Sequence, residues 1–191
     1  AQAVAGISQG FADVRHVVVA PDGLAVWREA FRTIQAREAW AAHGAWITAT
    51  KPRLGPDIAE RFQYAATVTA AAAAAAEQRR SEVRRRMDHL LADGSILVLP
   101  SASGPAPLRH ASGAEVERVR AASLAMLSIA GLAGLPQVSL PLATLGGAPL
   151  GLSLVGRRGS DRSLLRLAAD IAAVHAASGV ARESESGEAH G

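Results

Sequence analysis

A chain of 191 residues is long enough for one ordinary domain with a buried core. It is 49% apolar but only 4% aromatic, so that core must be Ala, Leu and Val in close packing, and the lack of cysteine excludes disulfides and thiolate–metal sites. The net charge of +3 is too small for a strong field; the pI near 10.5 reflects arginine in place of lysine, of which Lys51 is the sole example, and nucleic acid is not an expected partner.

The chain opens Ala1-Gln2-Ala3-Val4, without a basic start followed by an apolar run, and so does not read as a secretory signal. It has no initiator Met, which fits a processed chain or a fragment. The default expectation is a cytoplasmic location. Val14 to Val19 is a β-branched run that predicts a short strand, closed by the turn Pro21-Asp22-Gly23. Asp22 is placed to cap a helix from Leu24 to His43, with Gly44 as its stop. Leu24, Trp27, Phe31 and Ile34 share one face of that helix at core spacing.

Lys51 to Pro56 is a loop, and Asp57 opens one long helical stretch ending near Asp93-Gly94. It holds seven consecutive alanines, Ala70 to Ala76, and then Arg79, Arg80, Arg84, Arg85 and Arg86 interleaved with Glu77 and Glu82. That arginine cluster reads as a solvated, ion-paired face rather than an anion-binding patch. Ser95 to Leu99, bounded by Gly94 and Pro100, has the pattern of a buried strand. The loop Ser101 to Pro107 leaves its C-terminal end, where ligands of open α/β sheets usually sit.

Arg120 and Arg157 bracket the longest uncharged interval. Its glycines and prolines break it too often for a membrane span, and no membrane partner is expected. It predicts a helix to Ala130, a tight Gly-Leu-Ala-Gly-Leu-Pro turn, and two buried strands, Gln137 to Leu140 and Leu150 to Val155. Ser160 or Asp161 then caps a last helix. The expected organisation is one α/β domain over residues 1–177, with a flexible Gly-, Ser- and Glu-rich tail over 178–191.

Few residues carry recognisable chemistry. The nearest match to a Gly-x-Ser-x-Gly elbow is Gly151 to Gly156, which is one residue too long and leaves Ser153 inside a strand. The only lysine, Lys51, lies in a Pro-flanked loop rather than beside a serine. The six histidines have no metal-ligand spacing, so neither a metal nor a cofactor is expected. Gly156 to Ser160 resembles a phosphate-binding loop but reads better as an ordinary capped turn.

Four segments in order carry a family resemblance: Ile96-Leu97-Val98-Leu99-Pro100-Ser101; Gly131 to Pro141, with Gly-Leu-Pro at its centre; Ala148 to Gly156, with Pro-Leu-Gly-Leu; and Asp161-Arg162-Ser163-Leu164-Leu165. Together they resemble the C-terminal part of the amidase signature family, clearly over 95–177 and less so back to Val14. The chain departs from the pattern at Gly94-Ser95, at Ser101 where the family has Thr, and at Ser153 where it has Gln. The last two point to small polar amides or ureido compounds.

The resemblance implies a partial mixed β-sheet flanked by α-helices and hydrolysis of a linear amide by a Ser-cisSer-Lys triad. That triad lies in the family's N-terminal half, so no catalytic residue is assigned in this chain. The chain would supply scaffold and part of the pocket wall, with Ser101, Ser103, Met126 and Ser128 as candidate substrate-binding residues. Its partners would be a small-molecule amide and either the missing half, a partner chain or a second copy of itself. The alternative is a stand-alone binding or scaffolding protein on an amidase-derived fold.

Overall fold

The computed structural model describes Phe11 and residues 13–188, with side chains through Ala177. The opening Ala1 to Val4 and the end of the expected tail, 189–191, lie outside the described residues. The elements run α1 (Leu24–Thr50), α2 (Pro56–Thr67), α3 (Ala70–Leu90), β1 (Leu97–Pro100), α4 (Gly113–Ala133), β2 (Gln137–Leu145), β3 (Ala148–Val155) and α5 (Asp161–Glu188).

Strand β3 lies between β1 and β2 and is antiparallel to both. Alternation along a strand sends successive side chains to opposite faces. On one face Val155, Leu97 and Leu99 meet a core of Trp27, Ile34, Val83, Met87, Ile129 and Leu132 from α1, α3 and α4. On the other, Leu154 and Leu140 pack against Leu164 and Ala168 of α5. The result is an α/β arrangement with helices on both faces of a small sheet.

Several local expectations change for identifiable reasons. Val14 to Val19 forms no strand. The segment is held as a strap by Arg86, whose guanidinium donates to the carbonyls of Val18 and Val19, and by Arg15 on Asp93. Asp22 does not cap α1; Gly23 does, and the Asp22 carboxylate accepts from Trp27 Nε1 at 3.0 Å and pairs with Arg79 at 3.2 Å. Gly44 does not end α1, because the Trp40 ring lies where a Cβ would stand, 2.7 Å away. That glycine is used for close packing, and the helix stops at Lys51, which takes the left-handed conformation with φ 44°.

The stretch from Asp57 to Gly94 is two helices, not one. Val68 and Thr69 take extended backbone, and the Thr69 hydroxyl accepts from the amide of Ala72 at 3.1 Å to start α3. The arginine cluster there is ion-paired only in part: Arg79 pairs with Glu82 at 2.8 Å and Arg80 with Glu77 at 3.2 Å, whereas Arg86 holds the strap and Arg84 Nε is buried without a hydrogen-bond partner. Helix α4 runs three residues past Ala130 and ends on Gly134 at φ 65°. Strands β2 and β3 are longer than expected and form a hairpin closed by Gly146 and Gly147, both at positive φ. Ser160 stands at the N-cap position of α5, its carbonyl accepting from the Leu164 amide at 2.8 Å, while its hydroxyl donates back to the Arg157 carbonyl at 2.6 Å. The backbone of 178–188, expected to be tail, continues α5.

Candidate functional site

Pairing of the strands gathers polar side chains on the face of the sheet that carries Val155, Leu97 and Leu99. Ser153 of β3 stands opposite Leu99 on one side and Ser139 on the other. Ser101 follows β1 directly, and its amide donates to the Gly151 carbonyl at 2.8 Å, extending the ladder by one step. The three hydroxyls then meet: Ser101 to Ser139 at 2.5 Å, Ser101 to Ser153 at 2.9 Å, and Ser139 to Ser153 at 2.9 Å. Gln137, two residues before Ser139 and so on the same face, donates from Nε2 to the Ser153 hydroxyl at 2.8 Å. Ser153 is fully buried, Ser101 and Gln137 are half-buried, and Ser139 is exposed. Gly151 makes room for the cluster, since a Cβ there would lie 2.7 Å from Ser101 Oγ.

The loop after β1 is fastened to α4 by its next serine. The Ser103 amide donates to Ser123 Oγ at 3.2 Å, the Ser103 hydroxyl donates to the Val119 carbonyl at 3.2 Å, and the two hydroxyls lie 3.1 Å apart. Of the four candidates from the sequence, Ser101 thus joins the sheet cluster and Ser103 joins a serine of α4. Ser128 is fully buried and donates to the Ala125 carbonyl of its own helix at 2.7 Å. Met126 is half-buried on α4, and no hydrogen bond links it or Ser128 to the serines of the sheet.

Ser139, Gln137 and Ser123 were not singled out from the sequence, and Ser153 was noted there only as a misfit to an elbow and as a departure from the family's Gln. The available signal was the alternation of Gln137 and Ser139 in an apolar strand, which marks one polar stripe on a buried element.

Two of the hollows among the described residues lie elsewhere. One of about 330 Å3 is lined by Phe11, Ile96, Arg157, Ser160 and Leu164 near the start of α5. The other, about 110 Å3, lies between Phe31, Glu38, Arg80 and Gly131. Arg158, beside the first, turns away to donate to the carbonyls of Ala133 and Gly134 at 2.7 and 3.0 Å. It thereby satisfies the end of α4. Among the described residues no three His, Asp or Glu side chains gather into a metal-binding group. Lys51 is exposed at the end of α1.

A small antiparallel sheet between helices, with Ser101 at the end of β1 and the Gly146–Gly147 hairpin behind it, defines a part of the amidase-type α/β fold. The family model described as Amidase matches residues 16–165, and the chain belongs to that family. It is 37% identical over 142 residues to Amidase 1 of Arabidopsis thaliana, covering 74% of this chain and 33% of that protein. It is 28% identical over 148 residues to Translocon at the outer membrane of chloroplasts 64 of Pisum sativum, covering 78% of this chain and 25% of that protein. The solved allophanate hydrolase of Kluyveromyces lactis shares its fold with TM-score 0.76 at 24% identity, over 91% of this chain and 28% of that one. The chain spans about a third or less of the curated relatives it matches.

These relatives correct the expectation of a cytoplasmic chain. Three bear outer-membrane or outer-envelope names, among them Outer envelope protein 64 of Arabidopsis thaliana in chloroplastic and mitochondrial forms. The expectation rested on the lack of an export signal in a segment that matches only a part of each relative, and such a segment does not set the compartment. Among the described residues no helix is long and apolar enough to cross a membrane.

Proposed function

We propose that this chain is the C-terminal part of a hydrolase of linear amides, supplying sheet scaffold and pocket wall while the nucleophile comes from polypeptide outside these residues. The observation that carries the reading is the family match over 16–165 in a chain that covers only a third of Amidase 1. Residues 1–177 act as one unit in this reading, with Ser101, Ser103 and Met126 contributing to the wall that faces the remainder of the protein and Ser128 buried behind it on α4. The amidase mechanism needs a lysine able to lose its proton beside a serine. The one lysine here is exposed, which leaves the triad to the remainder of the protein.

Exposed apolar side chains support the same division. Leu127 and Val116 of α4 and Leu108 of the β1–α4 loop are among the large apolar side chains left open. A further polypeptide, a partner chain or a second copy would cover such a surface. A non-catalytic binding or scaffolding protein is the second reading, favoured by the relatives named for a translocon and an outer envelope rather than for hydrolysis.

The test is release of ammonia from simple linear amides by the parent polypeptide and by the 191-residue chain alone. Activity in the parent and none in the chain supports the proposal. Activity in the chain alone overturns the division of labour, and an inactive parent favours the binding reading.

A further inference from the structure

Most of the charges on α3 are answered within the fold. Glu77 pairs with Arg80, Glu82 with Arg79, and Asp88 reaches Arg158 at 3.8 Å. Arg86 is taken up by the carbonyls of Val18 and Val19, and Arg85 is exposed to water. Arg84 is different. It is half-buried, its Nε is shielded from solvent, and no carboxylate or other acceptor meets it among the described residues. A guanidinium so placed has lost part of its hydration without a partner in return. Arginine does not relieve such a site by losing its proton.

A second guanidinium lies beside it. Gly134 ends α4 at φ 65° and has no side chain. The place where its Cβ would stand lies 3.0 Å from Arg158 Nη1 and 3.8 Å from Arg84 Nη2. Two cations from distant parts of the sequence, one on α3 and one on the turn into α5, thus converge on one spot. Arg158 is held there by donating to the carbonyls of Gly134 and Ala133. Those bonds also occupy the carbonyl end of α4, which would otherwise repel an anion. Among the described residues, Asp88 is the one carboxylate that an ion pair links to either guanidinium, so two positive charges share one negative charge.

We infer that Arg84 and Arg158 form a binding site for a small oxyanion of the phosphate type at the C-terminal end of α4. Of the three Arg84 nitrogens only Nε is buried, so the Nη edge meets the ligand. Arg158 is half exposed, and two of its N–H groups are taken by carbonyls, which leaves others to donate outward. No Cβ on Gly134 stands between the two forks. Charge-assisted hydrogen bonds run at about 2.7–2.9 Å, so one tetrahedral anion bridges both guanidiniums. Chloride offers no such geometry.

The test is a phosphate titration of the 191-residue chain at constant ionic strength, with chloride as the balancing anion. The Arg84 Nε–H and the backbone amides of Gly134 and Leu135 are followed by NMR. The expected result is saturable shifts with a Kd of about 1 mM, absent when chloride alone is added. Arg84→Gln is expected to weaken binding about tenfold, read at Gly134. Arg85→Gln removes the same charge from the exposed neighbour and is expected to leave Kd within about twofold. Arg84→Lys keeps the charge without the fork and should fall between them. No saturable shift in the wild-type chain, or an equal response to chloride, overturns the site. Equal losses in Arg84→Gln and Arg85→Gln overturn it too, because they reduce the effect to the general charge of the helix. Hydrolysis plays no part in the readout, so a parent protein inactive on amides leaves this site standing.

Discussion

Asp93 closes the turn between α3 and β1, and its carboxylate is pulled down to about 2. The main cause is the Ser95 hydroxyl, which donates to Oδ1 at 2.5 Å, followed by the Ser95 amide at 3.0 Å and then Arg15 on the other oxygen at 3.1 Å. All three favour the charged form. A carboxylate whose folded value lies below its unfolded value contributes stability that is complete above the unfolded value, 3.8 here. That contribution fades as pH falls toward about 2. The expected outcome is an Asp93 midpoint near 2 in a carboxyl-carbon NMR titration. Ser95→Ala should raise it more than Arg15→Ala, since the arginine pair is exposed and screened. A midpoint at the ordinary carboxylate value, or a larger effect from Arg15, would contradict this account. Residue-scale detail of this kind was partly legible beforehand. Ser101 stood out because it leaves a strand end, but its partners did not. Counting back from the Gly146–Gly147 turn pairs Ala143 with Leu150, and the same register would set Leu140 against Ser153. A bulge at Pro141 and Leu142 shifts the register by one, so that Ser139 meets Ser153 instead. Nothing in the local residue pattern announces that slip except Pro141, which cannot donate to a ladder.

At the scale of elements, the helices are decided by a few special positions. The break between α2 and α3 depends on Thr69, whose hydroxyl takes the amide of Ala72. Alanine propensity gives no boundary of its own, because a run of alanines extends equally well in both directions. Thr69→Ala should therefore cost about 0.5–2 kcal/mol, and Thr69→Ser should cost little, as read from urea unfolding. If the alanine variant unfolds at the wild-type midpoint, the cap is not what starts α3. Apart from the break between α2 and α3, the helices, their order and the three strands of the sheet were legible in hydrophobic period and turn chemistry. The strap at Val14 to Val19 was not, because its partners are the side chain of Arg86 and the far-off Asp93. β-Branched residues favour extended backbone, but they do not supply a neighbouring strand to pair with. Gly44 misled for a related reason: a glycine that ends a helix and one that admits an indole look the same in sequence.

Taken as a whole, the molecule divides its apolar contacts unequally across the sheet. Among the described residues, thirteen buried ones form the core on the side of α1, α3 and α4, whereas Leu140, Leu154, Leu164 and Ala168 form the buried set beneath α5. Local opening follows contact density, so α5 is the layer expected to come away first. Leu154 tests this, being fully buried at the centre of the smaller set while its neighbour Val155 points into the larger one. Leu154→Ala should cost about 2–5 kcal/mol, the transfer term plus the cavity it leaves. Native-state hydrogen exchange should show the loss concentrated in amides of Asp161 to Ala177, with those around Trp27 and Met87 affected less. Equal loss of protection in both layers would mean that the sheet transmits every disturbance and the chain opens as one unit. Loss confined to α5 means instead that the helical core around Trp27 is stable independently. It would then hold the serine-bearing face of the sheet in place while its far side opens.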